Sequence, residues 1–226
     1  DFLLVLIALI GLCSLFRFDQ PSHNKHKAKG AFLKTLKSPL VISFLLINFL
    51  LQLSHGPYYT FYSIYMEDLG YDRSTIGILW ALGVMAEVLL FIVMHRLMHR
   101  YSLRQIVLVS LLLTAIRWGV VGEWSDHFVA VVLAQCFHAA SFGSMHAVAI
   151  HFVHRYFPID IQGQGQAAYS SISFGAGGAL GAVLSGFVVN AYGSPVAFNL
   201  AATAAVLALA IGYYSFKPSV SIQVAD

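Results

Sequence analysis

The chain has 226 residues, of which 58% are hydrophobic and only 10% are charged, and its formal net charge is +3. Soluble domains carry about 25% charged residues, so this composition excludes an ordinary soluble fold. The small net charge does not indicate nucleic-acid binding, and Cys13 and Cys136, both within apolar segments, do not indicate an extracellular disulfide framework.

The chain opens with an apolar run that is too short to cross a membrane alone. The run Phe2–Phe16 falls short of the ~20 helical residues that a ~30 Å hydrocarbon layer requires. Arg17 follows this run and no basic residue precedes it, which makes a signal peptide the weaker interpretation. We expect residues 1–16 to be the end of a transmembrane helix, and the chain to be a fragment.

Residues 17–38 are polar and contain the helix breakers Pro21 and Gly30 among several lysines and histidines. This composition is typical of a mobile connection between two helical bundles. The lysines could also contact the head groups of membrane lipid, although setting the orientation of the neighbouring helices is the simpler explanation. We expect a domain boundary here.

Six longer apolar segments follow, each near or above the length that spans a bilayer. Their apolar character is continuous rather than alternating, which favours helices over the strands of a membrane barrel. The sequence therefore predicts an all-α integral membrane bundle over 39–217 and a C-terminal tail, 218–226. The predicted spans are 39–65, 75–94, 104–121, 127–152, 165–191 and 195–216.

Basic residues lie almost entirely on one side of this predicted topology. Eleven of the 13 Lys and Arg residues fall in the linker, in the loop near 95–104, at Arg155 or at Lys217. Because Lys and Arg are retained in cytoplasmic loops, we expect the linker 17–38 and the C-terminus to be cytoplasmic.

The first full segment carries a polar stripe that a proline interrupts. Its polar residues recur at steps of three or four and include His55 and Tyr59, so one face should turn away from lipid. Gly56 and Pro57 are expected to kink the helix and to free backbone carbonyls, as broken helices do at many membrane binding sites. Helix packing explains such a kink equally well.

Three ionisable side chains lie well inside later segments, where insertion of a charge costs ~2.5 to 3.5 kcal/mol. Glu87 is the one deep carboxylate, so we expect it to face an interior path and to exchange a proton. His138 is predicted to lie at a similar depth and to couple with it. Arg117 either snorkels to the head groups or turns inward to hold a carboxylate.

The fourth segment presents a mixed polar and aromatic face. Gln135, His138 and Phe142 recur at helical spacing, which could offer an apolar solute a surface with a polar end. His146 lies beside this face, and packing is its simpler explanation.

The fifth segment is rich in small residues, which permit close helix contact. The residues expected at that contact are Gly177, Gly178, Gly181, Ala182 and Gly186.

Two histidine pairs raise the question of a metal. His95 and His99 are four apart, and His151 and His154 are three apart, yet neither pair has cysteine or carboxylate partners at ligand spacing. The sequence therefore predicts no metal site and no other cofactor, and it contains no catalytic constellation of an enzyme.

Four pieces of sequence together resemble a known family. The pair Tyr58–Tyr59, the loop end Gly70–Tyr71, the run Leu79–Val88 and the triplet Arg117–Gly119 are similar to the C-terminal half of phenylpropionate permeases, which belong to the major facilitator superfamily. The resemblance implies twelve helices in two halves built as 3+3 inverted repeats, in the bacterial inner membrane. The spans here would be helices seven to twelve, residues 1–16 the end of helix six, and the partner a missing N-terminal six-helix half.

The resemblance also implies a function, which is proton-coupled import of a small organic solute such as an aromatic carboxylate. The related lactose and nucleoside proton symporter branch has an acid, an arginine, a histidine and a second acid, and Ser141 stands where that second acid would be. The resemblance assigns proton coupling to Glu87 and His138. The residues expected to contact the solute are Arg117, His55, Tyr59, Gln135 and Phe142.

Two other functional classes remain open from the sequence. The ten histidines would suit a membrane metal or haem protein that transfers electrons. A receptor or assembly subunit that transports nothing is the second alternative.

Overall fold

A computed structural model of the chain describes residues 25–216, so the expected partial helix 1–16 and tail 218–226 lie outside the described residues. The part described is helical throughout and contains no β-strand. Six helical stretches are long and apolar enough to cross a membrane, which confirms the predicted all-α class. These spans, numbered 1 to 6 in chain order, are Pro39–Asp68, Arg73–Arg100, Leu103–Glu123, Phe128–Tyr156, Ile159–Tyr192 and Ser194–Ser215.

Most spans extend beyond the predicted apolar segments, because the hydropathy of a segment marks only its lipid-facing part. Span 2 begins after Asp72, whose carboxylate accepts hydrogen bonds from the backbone amides of Ser74 and Thr75. Bonds from the Thr75 hydroxyl and amide hold the pKa of Asp72 below its usual range. Span 3 begins with a capping box in which Ser102 and Gln105 bond to one another's backbone amides.

Part of the predicted linker is a helix, Lys25–Leu36, which we call the juxtamembrane helix. The sequence did not predict this helix. Phe32 and Leu36 pack against a core cluster of the bundle, which explains why this stretch is ordered as a helix despite Gly30.

The bundle has two ends. The basic end holds the junctions of spans 2 with 3 and of spans 4 with 5, together with the end of span 6 and the juxtamembrane helix. The opposite end holds the other three junctions.

A hydrophobic cluster lies toward each end. The first includes the stacked rings of Phe44 and Phe152, 3.9 Å apart, and the second includes Tyr62, Trp118 and Phe198.

Span 1 is broken at His55 into the helices Pro39–Ser54 and Gly56–Asp68. Pro57 has no amide hydrogen to donate to the Leu53 carbonyl four residues earlier. That carbonyl lies against Gly181 of span 5, where a Cβ would overlap it. The break and the glycine together allow the two backbones to approach.

Only part of the small-residue row mediates this contact. A Cβ on Gly177 would lie 2.7 Å from the Phe49 carbonyl oxygen, so Gly177 and Gly181 form the close interface with span 1. A Cβ on Gly178 would meet no described atom within 4 Å, and one on Gly186 would make only ordinary contact with Phe61. Gly178 and Gly186, which the sequence also placed at this contact, therefore do not form the close interface.

Candidate functional site

Span 4 changes its helical winding immediately after His138. Residues Ala139–Ser144 form a π-helical segment between the α-helices Phe128–Cys136 and Met145–Tyr156. π-helical segments are rare and occur frequently at functional sites. Each contains an extra residue per turn, which changes the directions of the side chains that follow. A second π-helical segment, Ser171–Gly178, interrupts span 5 between Gln162–Ser170 and Ala179–Tyr192. The apolar periodicity of the sequence contains no signal for either.

Arg117 of span 3 turns inward and is 0% exposed, so it does not snorkel to the head groups. Its Nη1 lies 3.0 Å from Nδ1 of His138 and 2.9 Å from the hydroxyl oxygen of Ser141. Guanidinium nitrogens only donate hydrogen bonds, so Nδ1 of His138 must accept. The proton of a neutral His138 is therefore on Nε2.

Glu87 of span 2 lies on the far side of that imidazole. Its Oε2 is 3.8 Å from Nε2 of His138, and the two side chains are 15% and 7% exposed. Gly143 of the π-helical segment makes room for this approach, since a Cβ there would be 3.0 Å from Cγ of Glu87. Arg117, His138 and Glu87 thus form a continuous chain of polar groups from three spans.

Aromatic faces enclose the guanidinium of Arg117. Its Cζ lies 4.3 Å from the ring centre of Tyr58 and 4.2 Å from that of Trp118, distances that allow cation–π attraction. The Tyr58 hydroxyl donates to Oε1 of Gln135 at 2.8 Å. Tyr58 is therefore a buried residue of the site, and Gln135 holds its hydroxyl in position.

His55, at the break in span 1, borders the same region. Its Nδ1 lies 2.8 Å from the Leu51 carbonyl oxygen, which can only accept a hydrogen bond, so Nδ1 carries the proton and Nε2 is an acceptor. The His55 ring lies 5.0 Å from Trp118 and 6.3 Å from His138. Its Nε2 is buried and bonds to no described residue.

An aromatic row continues from His138 along span 4. The rings of His138 and Phe142 stack at 5.5 Å, and those of Phe142 and His146 at 6.3 Å. Phe174 of span 5 meets both Phe142 and His146 edge-on. His146 and Phe174 therefore belong to the site, although no pattern in the sequence distinguishes Phe174 from other apolar residues of span 5. Tyr59 stacks on His55 at 5.8 Å but is 51% exposed, so it lies at the margin.

The site contains charge without a fixed counter-ion. None of the ion pairs among residues 25–216 includes Arg117, and its Nε and Nη2 are buried with no hydrogen-bond partner in that range. A buried donor without a partner costs ~1 to 3 kcal/mol, more if it is charged. The arrangement can therefore receive an anion at Arg117 and exchange a proton at Glu87 or His138.

The histidine pairs lie apart from this site. The rings of His95 and His99 are 4.2 Å apart near the basic end, and His154 bonds to Gln162. Neither pair is joined by a third ligand, since residues 25–216 contain no group of three histidine, cysteine or acidic side chains that could hold a metal ion.

Comparisons with known proteins agree with this architecture. Residues 2–200 match the MFS_1 like family. The chain is 32% identical over 155 residues to the "Probable 3-phenylpropionic acid transporter" of Escherichia coli (strain K12), covering 69% of this chain and 40% of that protein. It is 23% identical over 202 residues to the "Putative nucleoside transporter YegT" of the same organism, covering 84% and 47%. The chain thus spans about half the length of these relatives. The resemblance to phenylpropionate permeases is confirmed, and the chain belongs to the MFS_1 like family of major facilitator superfamily transporters.

Proposed function

We propose that the protein containing this chain imports a small organic anion, such as an aromatic carboxylate, together with a proton. The observation that carries the proposal is Arg117, fully buried, with two nitrogens unpaired and no described carboxylate beside it. The setting that we propose is the bacterial inner membrane, with the linker 17–38 and the C-terminus on the cytoplasmic side.

The chemistry of the site supports a solute with one anionic end and one aromatic end. The planar guanidinium of Arg117 matches a carboxylate with two parallel hydrogen bonds. Phe142, His146 and Phe174 offer ring faces and edges in a row that begins at His138. A relative's name includes 3-phenylpropionic acid, which carries both groups.

The same geometry supports coupling to a proton. A carboxylate bound to the unpaired Nε and Nη2 of Arg117 offsets the positive charge that Nη1 presents to Nδ1 of His138. A positive charge on the imidazole is then less unfavourable, and Nε2–H of the same ring faces Glu87. Solute binding therefore changes the electrostatic environment of the group next to Glu87, which links the occupancy of the anion site to proton exchange.

The net charge that one transport cycle carries across the membrane determines which gradient drives uptake. One proton entering with one monovalent anion moves no net charge, so the pH gradient drives the cycle and the membrane potential does not. Each pH unit is worth ~1.4 kcal/mol per proton, which supports about tenfold accumulation of the solute.

The test is uptake of radiolabelled 3-phenylpropionate into proteoliposomes with an imposed pH gradient, acid outside. We expect accumulation that a proton ionophore abolishes, with alkalinisation of a weakly buffered exterior. The matched competitor is 3-phenylpropionamide, which has the same shape without the charge and should not compete. Competition by the amide as strong as that by the unlabelled acid would overturn the assignment of Arg117, and solute flux without proton movement would overturn the coupling.

A further inference from the structure

The outer surface of span 3 carries two apolar grooves, one on each side, near the basic end. The first lies between spans 3 and 6 and has a volume of about 440 Å³. The second lies between span 3 and spans 2 and 4 and has a volume of about 430 Å³. Val109 of span 3 lines both grooves and is 55% exposed, so it forms the ridge between them.

Both grooves are lined along the lengths of neighbouring spans for about half of the length that crosses a membrane. The groove between spans 3 and 6, which we call the 3/6 groove, extends from Tyr213 to Leu112. The groove between span 3 and spans 2 and 4, which we call the 2/3 groove, extends from Tyr101 to Leu113. Leu113 lies nine positions after Arg104, a rise of ~13.5 Å along the helix, which is close to half of a ~30 Å hydrocarbon layer. Two grooves of this length and nearly equal volume match the two acyl chains of one phospholipid.

Arg104, in the first turn of span 3, stands at the mouth of the grooves. Its guanidinium carbon lies 4.9 Å from the ring centre of Tyr213, and its Nη2 donates to the Tyr213 carbonyl at 3.3 Å. Its Nε is buried and bonds to no described residue. The side chain is therefore held at the mouth with donor capacity left over.

The surroundings of Arg104 identify this level as the membrane interface. Tyr213 and Tyr214 are 58% and 82% exposed, as expected of interfacial tyrosines. The amino terminus of span 3 adds partial positive charge at the same level. An anionic head group is the chemistry that completes this arrangement, because basic residues at a membrane surface attract acidic lipids.

Neither groove is lined by a residue assigned above to the candidate transport site, although Leu90, Ala140 and Ser144 of the second groove lie close to it in spans 2 and 4. The side chains of that site which remain partly accessible, Glu87, Tyr59 and Phe174, come from spans 2, 1 and 5. The outward residues of spans 3 and 6 beside the grooves are apolar, including Leu112 and Val206. In an integral membrane protein the solvent for such a surface is lipid.

We propose that one anionic phospholipid binds astride span 3, with its phosphate at Arg104 and one acyl chain in each groove. This site is separate from solute binding and does not depend on the proposed transport function. Its ligand is a membrane lipid and not a free phosphate, because the grooves require acyl chains.

The test titrates purified, delipidated protein with palmitoyl-oleoyl phosphatidylglycerol or with the phosphatidylcholine of the same chains, and counts bound lipid by native mass spectrometry. Wild type should retain one phosphatidylglycerol in preference to phosphatidylcholine. Arg104→Gln should weaken phosphatidylglycerol binding about fivefold, the effect of one basic residue at an anionic surface. Arg155→Gln is the matched control, because Arg155 also packs against a tyrosine, 5.9 Å from Tyr156, but Tyr156 lines neither groove, whereas Tyr213 beside Arg104 lines the 3/6 groove.

A second pair of variants tests the acyl chains. Ala210→Phe fills the 3/6 groove from an exposed position and should weaken both lipids at least threefold, whereas Leu207→Phe, exposed on span 6 outside the groove, should weaken neither. Val206→Phe serves the same purpose if Ala210→Phe does not fold. Equal losses for Arg104→Gln and Arg155→Gln, or unchanged binding after the groove is filled, would overturn the proposal.

Discussion

Ser141 contacts Arg117 without pairing its charge. Its hydroxyl accepts a hydrogen bond from Nη1 and donates one to the His138 carbonyl, so it orients the guanidinium without neutralising it. A carboxylate at the same position would be a permanent counter-ion. The choice of serine here is consistent with an arginine whose charge is reserved for a bound anion.

Ser141→Asp should therefore weaken binding of the organic anion at least tenfold, since a fixed ion pair replaces the one that the solute forms. The scale follows from charged hydrogen bonds worth ~1.5 to 3 kcal/mol. Equilibrium binding of labelled 3-phenylpropionate in detergent measures it. Ser141→Asn, which has nearly the same size and no charge, should stay within about threefold of wild type, and equal losses in both variants would argue against charge as the cause.

Gly143 sets the distance between the carboxylate and the imidazole. Because a Cβ there would lie 3.0 Å from Cγ of Glu87 and 3.3 Å from Leu90, Gly143→Ala must displace the acidic side chain. We expect the initial rate of solute-coupled proton movement to fall by roughly tenfold, with a loss of stability of ~1 to 3 kcal/mol from overpacking.

The control is Gly175→Ala, also in a π-helical segment, where the nearest described atom would be 4.0 Å from the new Cβ. It should keep wild-type coupling. Proton movement that stays normal in Gly143→Ala would show that the contact of Glu87 with His138 is dispensable.

At the scale of the helix, spans 1 and 5 depend on each other for their shape. Span 1 breaks where Pro57 removes a backbone donor, and span 5 supplies Gly177 and Gly181 at the same depth. The Thr60 and Ser185 hydroxyls approach to 3.4 Å just beyond this contact. The interface is thus made by backbone against backbone, where no side chain can move aside to accommodate a larger residue.

Gly181→Ala should destabilise the bundle, because its methyl group overlaps the Leu53 carbonyl and forces the two spans apart. A cost of about 2 kcal/mol corresponds to a midpoint of thermal unfolding lower by roughly 5 °C. Scanning fluorimetry in detergent measures the shift. Gly178→Ala, three residues away with open space around it, should be neutral or slightly stabilising; an equal drop there would mean that the contact between spans is not the cause.

The sequence predicted the spans but not how their faces meet. Continuous apolar runs and the placement of Glu87, Arg117 and His138 within them require only hydropathy and helix geometry. The contact of Arg117 with Tyr58 and Ser141 depends on how spans 1, 3 and 4 rotate about their axes, which distant packing decides. The π-helical segments and the choice between the two glycine rows have the same origin, since both are local responses to neighbouring helices.

At the scale of the whole molecule, the bundle divides into apolar clusters toward the two ends with a polar layer between them. The layer contains Arg117, His138 and Glu87, contributed by spans 3, 4 and 2, and it is bordered by the break in span 1. Ionisable groups at this depth persist where they face one another or an aqueous route. In the proposed function, the solute and the proton bind within this one layer, which is the physical basis of the coupling.

The most direct test is Glu87→Gln, compared with wild type in proteoliposomes for two activities. Uphill uptake of 3-phenylpropionate under a pH gradient requires a group that binds and releases the proton, whereas exchange of internal for external solute requires only the anion site. We predict that uphill uptake is abolished while exchange remains within about threefold of wild type. Uphill uptake that continues unchanged in Glu87→Gln would contradict the role of Glu87 in proton coupling.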